Sequence, residues 1–245
     1  MNITDNTILI TGGGSGIGLE IAKALSPANK IIIVGRTKEK LEAAAKDLEN
    51  VFTIQADITN ETDIDRLYEE VKTTFGGINI LINNAGNAYV YNLANGDDIY
   101  SKAVAEFTTN YFAPIRMTDK FLPLLKQQNE AAIVNVSSIV GLVPSSHLPT
   151  YSDSKAALHS HTRLLRYELA KETNVKVFEL MPPLVATDFS AEIGGLENGI
   201  PASQVANDLV KALQENIYEI HVGDTESVHN SFFVATEGAF ATFNN

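Results

Sequence analysis

Three pairs in this chain place a phenol four residues before an ammonium: Tyr68 and Lys72, Tyr151 and Lys155, Tyr167 and Lys171. On a helix, i and i+4 share a face, so each pair could bring its two groups together. The chemistry such a pair serves is proton transfer. A tyrosine of ordinary pKa, about 10, is a poor base near neutrality, and a nearby cation stabilises its phenolate. Spacing alone does not choose among the three. Nucleophilic and metal chemistry find less support. No G-x-S-x-G elbow occurs, so a serine hydrolase has no recognisable nucleophile. The chain has no cysteine, which excludes disulfides and thiolate zinc sites. Of the five histidines, at 147, 159, 161, 221 and 229, only His159 and His161 are close in sequence, and i and i+2 on a helix point to different sides. All five read as structural, and no metal site is expected.

A second segment with chemical content is Thr11-Gly12-Gly13-Gly14-Ser15-Gly16-Ile17-Gly18. Glycines permit positive φ and let the backbone approach a ligand closely, and a helix that follows offers free N–H groups to a pyrophosphate. Two common phosphate-binding patterns fail. G-x-G-x-x-G would need a glycine where Ile17 stands, and the P-loop would need Lys after Gly18, where Leu19 stands.

These residues need elements to position them. Thr7 to Thr11 is a short apolar run before the glycines, and apolar residues recur at helical spacing from Ile17 to Leu25. The alternation continues with strand Lys30 to Gly35, helix Lys38 to Leu48, strand Val51 to Gln55, helix Glu61 to Phe75 and strand Ile78 to Asn83. A long helix ending near Leu125, strand Ala131 to Ser137, helix Thr150 to Lys171 and strand Val175 to Met181 follow, then helix Ala202 to Glu215 and a short strand Glu219 to Val222. Near-continuous Ile, Val and Leu runs suit strands covered on both faces. The expected class is α/β, one doubly wound Rossmann-type domain over residues 1–245, with a parallel sheet of about seven strands. Residues 87–98 and 182–201 break the rhythm after strand carboxyl ends, where such sheets bind ligands, and are the expected substrate walls.

The second strand ends in Gly35-Arg36-Thr37. A carboxylate at this point would bond a ribose 2′-OH and select NAD, and a basic residue would take the 2′-phosphate of NADP. Arg36 can grip a phosphate with two parallel hydrogen bonds and Thr37 adds a hydroxyl. The expected cofactor is NADP(H), with NAD(H) as the alternative.

The glycine turn does fit T-G-x-x-x-G-x-G, and the chain resembles the short-chain dehydrogenase/reductase superfamily from about residue 5 to residue 222. The resemblance implies contacts with the nucleotide from Gly12, Ser15, Gly16, Ile17 and Gly18, from Asp57 and Ile58 at the adenine edge, and from Asn84, Ala85 and Gly86 of the N-A-G signature. It also implies a Ser about thirteen residues before the Tyr. Tyr68 has Gln55 there, and Tyr167 has Ser154 in the same helix, some 20 Å away at about 1.5 Å per residue. Tyr151 has Ser138 at a strand end. The resemblance assigns Tyr151 as proton donor and acceptor, Ser138 as holder of the substrate oxygen, Lys155 as partner of both phenolate and nicotinamide ribose, and Asn110 as part of a water-linked relay. In Met181-Pro182-Pro183-Leu184-Val185-Ala186-Thr187, Pro182, Val185 and Thr187 keep the family's cofactor-contacting places, while Pro183 replaces its glycine and stiffens the loop. This Pro-Pro version resembles most the DltE-type branch of bacterial oxidoreductases. The implied activity is hydride transfer between nicotinamide and a carbonyl or secondary alcohol. The alternative is a non-catalytic NADP(H)-binding sensor, which loss of Tyr151 or Lys155 would have favoured; both are present.

Composition bounds the partners. Eighteen Lys and Arg against thirty Asp and Glu leave a net charge of −12, which repels nucleic acid. No run of about 18 apolar residues could span a membrane, and Met1 to Asn6 lacks the basic start of a secretory signal, so a cytoplasmic protein is expected. The family resemblance implies a homodimer or homotetramer pairing the long helices around 103–125 and 150–171. The tail 227–245, with Phe232, Phe233, Phe240 and Phe243, either joins that interface or docks on its own core.

Overall fold

Buried β-branched runs form the strands. In the computed structural model, which describes residues 1–95 and 98–234 with the backbone alone at 232–234, seven strands lie parallel. They are β1 (Thr7–Thr11), β2 (Lys30–Gly35), β3 (Val51–Gln55), β4 (Ile80–Asn83), β5 (Ala131–Val136), β6 (Val175–Met181) and β9 (Glu219–His221). Their spatial order is β3-β2-β1-β4-β5-β6-β9. Ile8 and Ile10 of β1 join one core with Ile31 and Ile33 of β2, while Leu9, Ile32 and Val34 join the other. Both faces are therefore buried, and each such Ile or Leu contributes about 1.5–3 kcal/mol relative to an exposed position.

Helices α1 (Gly16–Leu25) and α8 (Ala202–Glu215) cover the first core. Helices α3 (Glu61–Phe75), α5 (Ala113–Leu125) and α6 (Pro149–Glu172) cover the second. The remaining helices are α2 (Lys38–Ala45), α4 (Ile99–Phe107), α7 (Gly195–Asn198) and α9 (Thr225–Val234). The order reverses between β1 and β4, which opens a crevice at the strand carboxyl ends. Among the described residues no helix is long and apolar enough to cross a membrane.

The elements depart from the sequence expectation at several points: helix α2 ends at Ala45, not Leu48, and the start of the expected tail forms α9. Strand β4 begins at Ile80, not Ile78, because the Asn79 side chain takes the Thr7 N–H at 2.9 Å in place of a strand partner. The long helix before Leu125 is divided by a π-helical turn at Thr108–Phe112. Pro114 offers no N–H to the Asn110 carbonyl four residues back, and the Ala113 N–H reaches Thr108 instead. The segment 182–201 is not a plain loop: β7 (Val185–Ala186) pairs with β8 (Ile200–Pro201) across a 3₁₀ turn and α7.

Candidate active site

The crevice is a cleft of about 1140 Å³ that runs from the glycine turn to the start of α6. Gly12 and Gly16 have φ of +67° and +54°, which side chains rarely adopt, and a Cβ on Gly12 would lie 2.9 Å from Ala85 Cα. Helix α1 begins after Ser15 with no side-chain cap and no acidic residue in its first turn. Its free N–H groups face the cleft beside Gly12, Ser15, Gly16 and Ile17, a donor set suited to a pyrophosphate. Gly18 does not line the cleft. A Cβ there would stand 2.5 Å from Gly12 O and Asn84 Nδ2, so its service is close packing.

Asn84 joins this turn to the end of β4. Its Nδ2 donates to Thr11 O at 2.9 Å, and the Thr11 hydroxyl accepts the Asn84 and Ala85 N–H groups at 3.0 and 3.1 Å. Gly86, Ile58, Pro182, Val185 and Thr187 also line the cleft. Asp57 lines it too, with Oδ1 already accepting the Thr59 N–H and hydroxyl at 2.9 and 2.7 Å. At the β2 end, Arg36 lines the cleft and Thr37 does not. Lys40, in the first turn of α2, stands there as a second cation. Sequence reasoning missed it, because Arg36 lies before α2 and helical spacing does not relate the two.

At the other end, Ser138, Tyr151 and Lys155 converge. Ser138 follows β5, and Tyr151 lies in the first turn of α6, which Pro149 opens. Tyr151 is only 8% exposed, and burial pushes its phenol well above the usual tyrosine value, opposed by the neighbouring Ser138 hydroxyl. Lys155 is 3% exposed. Its Nζ lies 5.5 Å from the Tyr151 ring centre and donates to Val136 O at 2.8 Å. Burial draws its pKa down to about 8, against the pull of Glu179. The other two Tyr/Lys pairs lie outside the cleft: Tyr68 packs edge-on to Phe121, and Tyr167 is exposed with Lys171 over its ring.

Asn110 sits in the π-helical turn, fully buried and outside the cleft lining. Its Oδ1 accepts the Asn87 N–H at 2.8 Å, and its Nδ2 donates to Asn87 O at 2.8 Å and Ser154 Oγ at 2.9 Å. It thereby ties the loop after β4 to α6. Both expected walls line the cleft, the first through Asn87 and Tyr89 and the second through residues such as Phe189 and Leu196. Tyr91 instead bonds the Thr150 hydroxyl at 2.5 Å, while His147 reaches the cleft. Positions 96 and 97, and the side chains of Phe232, Phe233, Phe240 and Phe243, lie outside the described residues.

Two buried acids escaped the sequence reading. Glu179 on β6 accepts from Ser137 at 2.6 Å, meets His159 Nδ1 at 3.0 Å, and supports the charged form of Lys155. Glu106 on α4 is 0% exposed; it accepts the Tyr89 N–H at 2.8 Å and the Thr150 hydroxyl. Burial lifts its carboxyl above the usual range, and its charge opposes ionisation of Tyr151. A single acid carries little sequence signal, because only tertiary packing tells a buried one from a solvated one.

A phosphate cradle joined by one cleft to a buried phenol and ammonium defines the class: a Rossmann-type, nucleotide-dependent oxidoreductase. The profile of the family described as short chain dehydrogenase matches residues 6–197, and the chain belongs to the short-chain dehydrogenase/reductase family, as an NAD(P)-dependent oxidoreductase. The uncharacterized oxidoreductase DltE of Bacillus subtilis is 37% identical over 225 residues, covering 90% of this chain and 89% of that protein. A short chain dehydrogenase from Burkholderia cenocepacia, solved in complex with NADP, matches over 100% of both chains with 27% identity and a TM-score of 0.88. A family member from Burkholderia phymatum, solved in complex with NAD, shares the fold at a TM-score of 0.86 and 20% identity, over 96% of each chain.

Proposed function

We propose that the protein transfers hydride between NADP(H) and a neutral carbonyl or secondary alcohol, with Tyr151 as general acid and base. The observation that carries this reading is the buried Tyr151 phenol, beside Ser138 and with its ring centre 5.5 Å from the Lys155 ammonium, in the cleft that the glycine turn opens. Bound along that cleft, the nucleotide supplies or takes the hydride. In reduction, Tyr151 gives its proton to the substrate oxygen as Ser138 donates a hydrogen bond to the same atom. A phenol is protonated near neutrality and burial reinforces that state, so Tyr151 has a proton to give. Lys155, anchored on the Val136 carbonyl, offsets the phenolate that forms. We assign to the Asn110 carbonyl, whose i+4 residue Pro114 has no N–H to give, the water of a relay to Lys155.

Two features support the finer choices. Arg36 and Lys40 both line the β2 end of the cleft, and no carboxylate stands at 35–37, which favours a 2′-phosphate. Ile139, Val140, Leu148, Phe189, Ile193 and Leu196 supply an apolar wall, and Lys155 is the only other Lys or Arg among the described lining residues. A substrate bearing its own carboxylate or phosphate would find no further cation there.

The test is fluorescence titration with NADPH and NADH on wild type, Arg36→Ala and Tyr151→Phe, followed by a screen of neutral aldehydes and ketones. Tight NADPH binding that falls toward the NADH value in Arg36→Ala, with Tyr151→Phe binding but inactive, is the expected result. Binding of neither nucleotide overturns the reading, and binding with no turnover of any carbonyl turns it toward a sensor. We also assign a homodimer or homotetramer, because Val104, Phe112, Leu164 and Tyr167 stand exposed on α4, the π-helical turn and α6. Light scattering after size exclusion checks this, and a monomer refutes it.

A further inference from the structure

His221 and His229 read from sequence as structural, and the fold brings their rings together. His221 ends β9 and His229 lies in the second turn of α9, with ring centroids 4.1 Å apart at 30°. Glu219, two residues before His221, shares its face because strand side chains alternate. One donor atom from each of the three lies within 4.8 Å of the other two. His221 Nε2 is buried and has no hydrogen-bond partner among the described residues. A buried nitrogen without a partner asks for a ligand, because leaving it unmet forfeits its hydration for nothing.

The electrostatics suit a cation. A neutral imidazole has a lone pair to give, and Glu219 brings a carboxylate to the same cluster. Glu219 Oε1 accepts Arg166 Nη1 at 2.8 Å, and the second carboxylate oxygen remains chemically able to bind a metal. The geometry points to a divalent-cation site formed by Glu219, His221 and His229, of the class that takes zinc. Two imidazoles and one carboxylate are borderline donors that suit Zn²⁺ better than Mg²⁺ or Ca²⁺, and three protein ligands leave a fourth position for water. Around tetrahedral zinc, donors sit about 3.4 Å apart, so the widest pair must close by roughly 1.4 Å, within side-chain motion. The ion would fasten α9 to the edge of the sheet. Helix α9 also places Val228 against Ile139, Val140, Leu148 and Tyr151, so the same clamp would steady one wall of the cleft.

The experiment uses the full chain freed of metal by chelator dialysis and titrated with Zn²⁺ against a chromophoric competitor. Wild type, His221→Asn and His229→Gln are compared, with NADPH binding as the control for intact fold. The expected result is one zinc per chain in wild type, at least tenfold weaker binding in each variant, and a wild-type Tm that rises by about 5 °C at a hundredfold excess over Kd while the variants stay put. Absence of saturable binding in wild type overturns the site. So does wild-type binding that both variants retain, since the ion would then lie elsewhere on the acidic surface.

Discussion

Glu106 offers the sharpest test of the site's architecture. It is fully buried and holds two donors, the Tyr89 N–H from the loop after β4 and the Thr150 hydroxyl beside Tyr151. Because Thr150 donates to Glu106, Tyr91 donates to Thr150, and the three form one chain from the loop into α6. Glu106→Ala leaves both donors unmet at about 1–3 kcal/mol each and opens a cavity, offset by the relief of removing a buried carboxyl, for a net loss of about 3 kcal/mol. Glu106→Gln keeps an acceptor for Tyr89, and its amide can donate to Thr150, which then donates to Tyr91; the expected change is within about 1 kcal/mol. The two variants also separate in pH. A carboxyl whose folded pKa is raised favours the protonated state, so wild type loses stability as pH climbs from about 4.5 through the raised value. The glutamine variant does not titrate, and its stability relative to wild type therefore rises across that window and then levels off. Urea unfolding between pH 4.5 and 7.5 measures both effects. An alanine variant within about 1 kcal/mol of wild type, or a glutamine difference that stays flat with pH, refutes the network and the raised carboxyl respectively.

Three further outcomes are expected. Lys155→Met loses at least about 100-fold in activity, and because burial holds the Lys155 pKa near 8 instead of 10.5, its stability gain over wild type is larger at pH 7 than at pH 10 in urea melts. Gly18→Ala drives a Cβ to 2.5 Å from a backbone oxygen that cannot swing aside; thermal unfolding shows about 2 kcal/mol of destabilisation, and NADPH titration shows weaker binding. Pro114→Ala supplies the missing N–H to Asn110, so the π-helical turn relaxes and kcat falls about tenfold while Tm holds or rises. A kcat that does not change separates the turn from the chemistry.

How much of this was legible beforehand depends on the range over which each residue acts. The runs Ile8–Ile10 and Ile31–Val34 are apolar on both faces, and that local pattern determines buried parallel strands wherever the chain places them. The glycine turn is also local: positive φ at Gly12 and Gly16 and an uncapped helix start follow from a dozen consecutive residues. Even the π-helical turn had its signal in Pro114, though periodicity alone read straight through it. Tertiary structure decided what depends on distant partners. It set Tyr151 under Ser138 and left Tyr68 and Tyr167 outside the cleft, although all three carry the same spacing. It brought Lys40 to the side of Arg36, buried Glu106 and Glu179 where most acids are solvated, and stacked His221 on His229. Burial and pairing are properties of the whole packing. A sequence states which groups can ionise, donate or ligate, and the low-dielectric surroundings that set their protonation and their partners exist only after the chain has closed around them.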